Sequence, residues 1–228
     1  MTSVEGPMAD VRDMYMAHIS LRREFGLAPA LVRGVTAGDK DRCETVSDHL
    51  GLLCTILHAH HGGEDALLWP KLLERGSTEV APVVHRMESQ HEVIDRTNEE
   101  VMAGLTAWRR EASAHDREVL ASALDRLDAA LVEHMALEEK HILPLAEKYV
   151  TASEWQELGK HSMEELPKKR LPLAFGMAMY EGDPQVIKNV LAEAPLVARL
   201  LMPIMAPRAY ASHAKRVYGT ATPARSQG

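Results

Sequence analysis

The sequence predicts an all-α protein: an up-down-up-down four-helix bundle with additional short C-terminal helices packed on it. Three observations predict this. Ala, Leu, Glu and Met dominate the segments between turns, and β-branched runs are missing. Apolar residues recur at helical spacing in four successive stretches. A set of six His and Glu residues is also written twice at nearly one interval. His18 is followed 42 residues later by His60, and His91 is followed 43 residues later by His134. Each second member opens the same phrase, His60-x-x-x-Glu64 with Pro70 beyond it and His134-x-x-x-Glu138 with Pro144 beyond it.

The first helix is expected over residues 8–34, ending at the Gly38-Asp39-Lys40 loop, with Val11, Tyr15, His18, Leu21 and Phe25 on its apolar stripe. The second carries Leu50, Leu53, Leu57, His60, Glu64 and Leu67 and closes near Gly76. The third carries Val84, Met87, His91, Ile94, Met102 and Leu105. The fourth carries Leu120, Leu124, Leu127, Leu131, His134, Glu138 and Leu145. Short connections between such helices favour antiparallel neighbours, and the core of such a bundle is where metals sit.

Residues 1–150 are therefore expected to form the bundle with its metal site, and residues 151–228 a helical extension packed on it. Thr151-x-x-Glu154 is a capping-box start, and Asp183-Pro184 reads as an N-cap followed by a helix-opening proline. Prolines at 167, 172, 184, 195, 203 and 207 should chop the extension into brief pieces. Leu171, Phe175, Val186, Leu191, Leu200, Leu201 and Ile204 should pack it down, and a disordered tail is expected from about residue 220. The Gly62-Gly63 pair is unfavourable inside a helix and should be where the extension approaches most closely.

Residues i and i+4 share one helix face, about 6 Å apart along the axis. Four helices then aim His18, His60, His91 and His134 with Glu64 and Glu138 at one spot. A single His on an apolar face is usually a core residue with one hydrogen bond. A Glu there must be paired, protonated or metal-bound, because burying a bare carboxylate costs several kcal/mol. No cationic side chain lies on these stripes, so the set reads as a site for two metals.

The order and spacing of the six residues, with the acidic neighbour after each Glu and the proline ten residues after each His, resemble the hemerythrin-like HHE cation-binding domain over about residues 8–149. The chain also resembles the hemerythrin-like proteins of actinobacteria. The resemblance implies two iron ions joined by an oxo or hydroxo bridge, Glu64 and Glu138 bridging them and two His on each. Zinc and manganese suit the same donors. Oxygen-carrying hemerythrins have a fifth His on the third helix, where this chain has Asp95. Four His and two bridging carboxylates would leave both irons open to reaction. A ferritin-like alternative rests on Glu88-x-x-His91 and Glu138-x-x-His141, which fall on consecutive helices instead of the order that fold needs.

The function expected is consumption of hydrogen peroxide, nitric oxide or dioxygen in oxidative or nitrosative defence. The alternative is an oxygen or iron carrier, sensor or store without turnover. Tyr15 and His141 are candidate catalytic residues near the metals, the second as a proton relay. His61, Asp65 and Glu139 are read as acceptors for ligand ring nitrogens or as solvent-facing. His49, His58, His85, His115, His161 and His213 are read as surface residues, and Met8, Met14, Met16, Met87, Met102 and Met135 as gap-fillers. A net charge of −7 argues against a nucleic-acid partner. Residues 195–207 are too short to span a membrane. Asp10, Arg12 and Asp13 interrupt any signal sequence, and Cys43 and Cys54 make no disulfide framework, so a cytoplasmic location is expected.

Overall fold

A polar pairing replaces the first turn of helix expected at residue 8. In the computed structural model, which describes residues 6–76, 78 and 80–226, the Ala9 amide donates to the Val150 carbonyl at 3.0 Å and the Ala152 amide to the Pro7 carbonyl at 2.8 Å. Helix α1 (Arg12–Arg33) therefore starts at Arg12. The turn after it is closed by Gly38, whose φ of 83° suits glycine and whose amide donates to Ala112 O at 2.9 Å. Asp39 then caps α2 (Lys40–Gly63), accepting from the Arg42 amide.

Both repeated prolines act one turn beyond their Glu. Pro70 has no amide to donate, and the chain answers with a π-helical turn, Glu64–Leu68, in which the Trp69 amide reaches back to Glu64 O. Helix α3 (Trp69–Arg75) continues from it. Helix α4 (Val80–Glu111) returns, and α5 (Ala114–His141) is capped by Ser113. Pro144 coincides with a smaller interruption, a single residue at Ile142 without a π-turn, after which α6 (Leu143–Tyr149) follows as a separate segment. The helices α1, α2, α4 and α5 pack in chain order, and α5 closes back on α1: an up-down-up-down bundle.

The extension comprises α7 (Ala152–Glu164), α8 (Leu171–Met179), α9 (Pro184–Glu193) and α10 (Leu196–Tyr218). Thr151 and Glu154 form the expected capping box, and Asp183 caps α9. Pro203 and Pro207 do not divide α10 as expected. Both lie on its exposed side, where water can satisfy the carbonyls they free. Gly176 lets α8 meet α10 backbone to backbone, since a Cβ there would stand 2.2 Å from Ala206 O. The first half of α10 is not packed down: Leu200, Leu201 and Ile204 are about half exposed or more. Met102, expected in the core, is exposed as well. Residues 220–226 lack regular structure but are tied down, Tyr180 Oη donating to Pro223 O at 2.9 Å and the Ser226 amide to Glu181 at 2.9 Å. Residues 227–228 of the expected disordered tail lie outside the described residues.

His49 and His213, expected at the surface, are buried in a polar network that joins the extension to the bundle. Glu24 accepts from Tyr210 at 2.7 Å and Tyr218 at 2.5 Å, and Arg23 reaches Glu24 at 2.9 Å and Glu181 at 2.5 Å. Tyr218 also meets His49 Nε2 at 2.9 Å, and His49 Nδ1 meets His213 Nε2 at 3.0 Å. Burial, with Arg23 and Arg42 nearby, pushes the His49 pKa down to about 3, so this histidine is neutral.

Apolar packing fills the bundle in two layers. One runs from Leu21, Phe25, Leu53 and Leu57 through Trp108, Leu124 and Leu131; the other gathers Met14, Leu68, Trp69, Met87, Ile142 and Trp155. The His and Glu residues of the repeated phrases lie between them.

Helix α7 is pinned at its start by a two-pronged pair, Glu154 to Arg75 at 2.6 and 2.8 Å. Arg75 is the main cause that holds the Glu154 carboxyl down at about 2, against 4.5 ordinarily. The pair's contribution is thus complete above pH 4.5 and is lost as pH falls through about 2. Glu154→Gln should cost about 1–2 kcal/mol near neutral pH. In chemical denaturation the difference from the parent should shrink below pH 4.5 and vanish near pH 2.

Candidate metal centre

Each bundle helix delivers its histidine to one buried layer. His18, Glu64, His134 and Glu138 have no solvent exposure, His61 and His91 almost none. Glu64 spans the layer, with Oε1 3.4 Å from His60 Nε2 and Oε2 3.4 Å from His91 Nε2. Glu138 does the same from the opposite side, its Oε2 standing 3.3 Å from His18 Nε2 and 3.6 Å from His134 Nε2. All six sequence-predicted metal residues are brought together.

A seventh joins them. His61 lies stacked on His91 with ring centroids 4.0 Å apart, and edge-on to His134 at 5.1 Å. Successive helix residues are about 100° apart. His60 therefore turns toward His18, at 5.4 Å, while His61 turns toward α4 and α5. Two groups result, each with donor atoms within 4.8 Å of one another: His18, His60, Glu64 and Glu138; and His61, His91, His134 and Glu64. By position, two histidines stand in the first group and three in the second. The sequence held one signal for this, because the position after His134 is Met135, a core residue, so the His60-His61 doublet has no counterpart in the second phrase.

The chemistry of the donors fits a metal pair. Nε2 of His18 and His60, both nitrogens of His61 and both oxygens of Glu64 and Glu138 are buried without a hydrogen bond. Buried polar groups are nearly always satisfied, and so many orphans facing one another call for a cation between them. The opposite ring nitrogens are engaged. His18 Nδ1 meets Glu139 at 2.9 Å, His91 Nδ1 meets Asp65 at 2.7 Å and His134 Nδ1 faces Gln90 Oε1 at 3.3 Å. Such contacts fix the ring so that Nε2 points inward, as metal-binding imidazoles require. Asp65 is itself held by Trp69 Nε1 at 2.7 Å and Glu139 by Arg22 at 2.7 Å. The acidic residue after each Glu thus serves the histidine of another helix.

Electrostatics agree. Burial opposes charge on His91, yet Asp65 and Glu64 raise its pKa to about 10; His18 is raised against burial by Glu138 and Glu139. Glu138 is lowered by His18 although burial works the other way. Burial takes His134 down to about 4 and lowers His60 and His61.

Tyr15 and His141 stay outside. Tyr15 is 38% exposed, and its hydroxyl lies 3.5 Å from the Glu139 carbonyl. His141 is exposed at the end of α5, two turns or about 10 Å beyond His134. The ferritin-like alternative also fails on position, since Glu88 pairs outward with His85 at 2.8 Å. Among the other histidines, His58, His85 and His115 are exposed and His161 partly so, as expected.

No curated protein and no solved structure matches the chain significantly. The family profile described as "Hemerythrin HHE cation binding domain" matches residues 9–146, more than half of the chain. That span holds all seven residues of the layer with Asp65, Gln90 and Glu139, so the chain belongs to the hemerythrin HHE cation-binding domain family.

Proposed function

We propose that this chain holds two iron ions in its buried His/Glu layer and reacts with hydrogen peroxide, nitric oxide or dioxygen in oxidative and nitrosative defence. The observation that carries this reading is the pair of four-residue donor groups that share Glu64. His18, His60, Glu64 and Glu138 hold one ion, and His61, His91, His134 and Glu64 the other. Glu138, between His18 and His134, reaches toward both. Imidazole with carboxylate suits iron, zinc and manganese alike, and membership of the family supports iron. When bound, such a pair supplies electrons or an electrophile to a small oxidant. The protein's own part is placement. Asp65, Gln90 and Glu139 orient the rings, and the two apolar layers keep bulk water from the donors.

One observation favours a second reading. His61 makes the two sides unequal, three imidazoles against two, and a reversible carrier or sensor needs one saturated metal and one open. Turnover separates the readings: the purified, iron-loaded protein should consume hydrogen peroxide catalytically. A stable, reversible dioxygen adduct with no peroxide turnover would establish the carrier instead.

Elemental analysis should find two metal ions per chain, mainly iron, and one zinc per chain would refute the di-iron reading. Glu64→Ala and Glu138→Ala should each abolish the two-metal site, and retention of both ions in both variants would remove their bridging role. His61→Ala should keep the ion beside His18 and weaken the other. Asp65→Ala leaves every donor in place, so it should lower affinity about 10- to 100-fold in a chelator competition while the final stoichiometry holds.

A further inference from the structure

The seven donors are not equally enclosed. His60 alone keeps appreciable side-chain exposure, 13%, against no more than 2% for the others. What it borders is a cleft of about 160 Å³ between α1, α2 and α7. Met14 and Ala17 form one wall, Leu158 and Gly159 the other, with His60 and Glu64 at the bottom. Helix α7 lies beyond residue 146, outside the span that matches the family. It is fixed at its start, where Trp155 Nε1 donates to Asp13 at 2.9 Å and Arg75 holds Glu154. At Ser162, which also lines the cleft, α7 rests on Gly63, where a Cβ would stand 2.6 Å from Ser162 Oγ. The cleft is therefore a fixed gap in the packing, and its outer wall belongs to this chain's own extension.

We propose that this cleft is the entrance to the centre and admits uncharged molecules of two or three heavy atoms, with Gly159 and Ala17 setting its width. The inference rests on the reading of the layer as a metal centre that meets small oxidants. Its walls offer the apolar surface of Met14, Ala17, Trp155 and Leu158, with Ser162 and Asp13 as the polar side chains beside His60 and Glu64. No Lys or Arg lines it, while Asp13 does, so an anion gains nothing on the way in. At Gly159 no atom lies within 4 Å of where a Cβ would stand, so a larger side chain fits without strain and stands over the opening.

The test uses nitric oxide as the probe, mixed with the reduced, iron-loaded full-length protein in a stopped-flow spectrometer. Gly159→Phe and Ala17→Leu narrow the cleft from opposite walls. Each should slow the bimolecular rate at least tenfold, with metal content unchanged. Lys160→Phe adds the same bulk on the exposed side of α7 and should react at the parent's rate. The same variants loaded with cobalt, whose visible bands respond to nitric oxide, report the entrance without iron. A protein that fails as an iron oxidoreductase would thus still answer the question. Parent-like rates in both cleft variants, or equal slowing by Lys160→Phe, would overturn the entrance.

Discussion

Two carboxylates fully enclosed in a helical core are the constraint on which the rest of this structure depends. Glu64 and Glu138 have no exposed surface and no hydrogen bonds, an arrangement that costs several kcal/mol for each charge unless positive charge stands beside it. Five imidazoles converge on them from four helices. The carboxylates beside His18 and His91 raise the pKa of both against the effect of burial, which marks where positive charge is favoured. Removing either carboxylate would leave an imidazolium without its partner, and removing the imidazoles would leave bare anions. The layer is stable as a whole or with a metal in it, and not in pieces.

That constraint explains details which otherwise look unrelated. The prolines ten residues after His60 and His134 break their helices one turn past each Glu, which frees α3 and α6 to close the end of the bundle over the layer. The acidic residue after each Glu reaches across to a histidine on another helix, so that each repeated phrase carries a donor and the support for a donor elsewhere. The extension is held by a different means. Its polar network around Glu24 is nearly saturated with hydrogen bonds and leaves His49 neutral, whereas the histidine layer is full of unsatisfied atoms. Two buried polar clusters in one chain thus differ in degree: the network around Glu24 leaves only His213 Nδ1 without a partner among its described residues, whereas the histidine layer leaves eight such atoms.

The fold class and six of the seven layer residues were legible in the sequence because helical periodicity and burial of charge are both local signals. His61 was not, because a residue one position after a ligand leaves the apolar stripe, and only the meeting of four helices gives that second direction a use. His49 lies eleven residues before His60, three turns on nearly the same face, yet its partners Glu24, His213 and Tyr218 come from distant segments that no spacing connects. Pro203 and Pro207 misled for a related reason. A proline is tolerated inside a helix more readily where water can satisfy the carbonyl it frees, and exposure is a tertiary property. Tyr15 shares a stripe with His18 but lies one turn nearer the surface, a depth the periodicity does not report.

The account stands on two metal ions held between these particular residues. Anomalous diffraction from crystals of the metal-loaded protein tests it most directly. Two peaks are predicted, one among His18, His60, Glu64 and Glu138 and one among His61, His91, His134 and Glu64. A single peak, or peaks with His61 turned away from both, would contradict it.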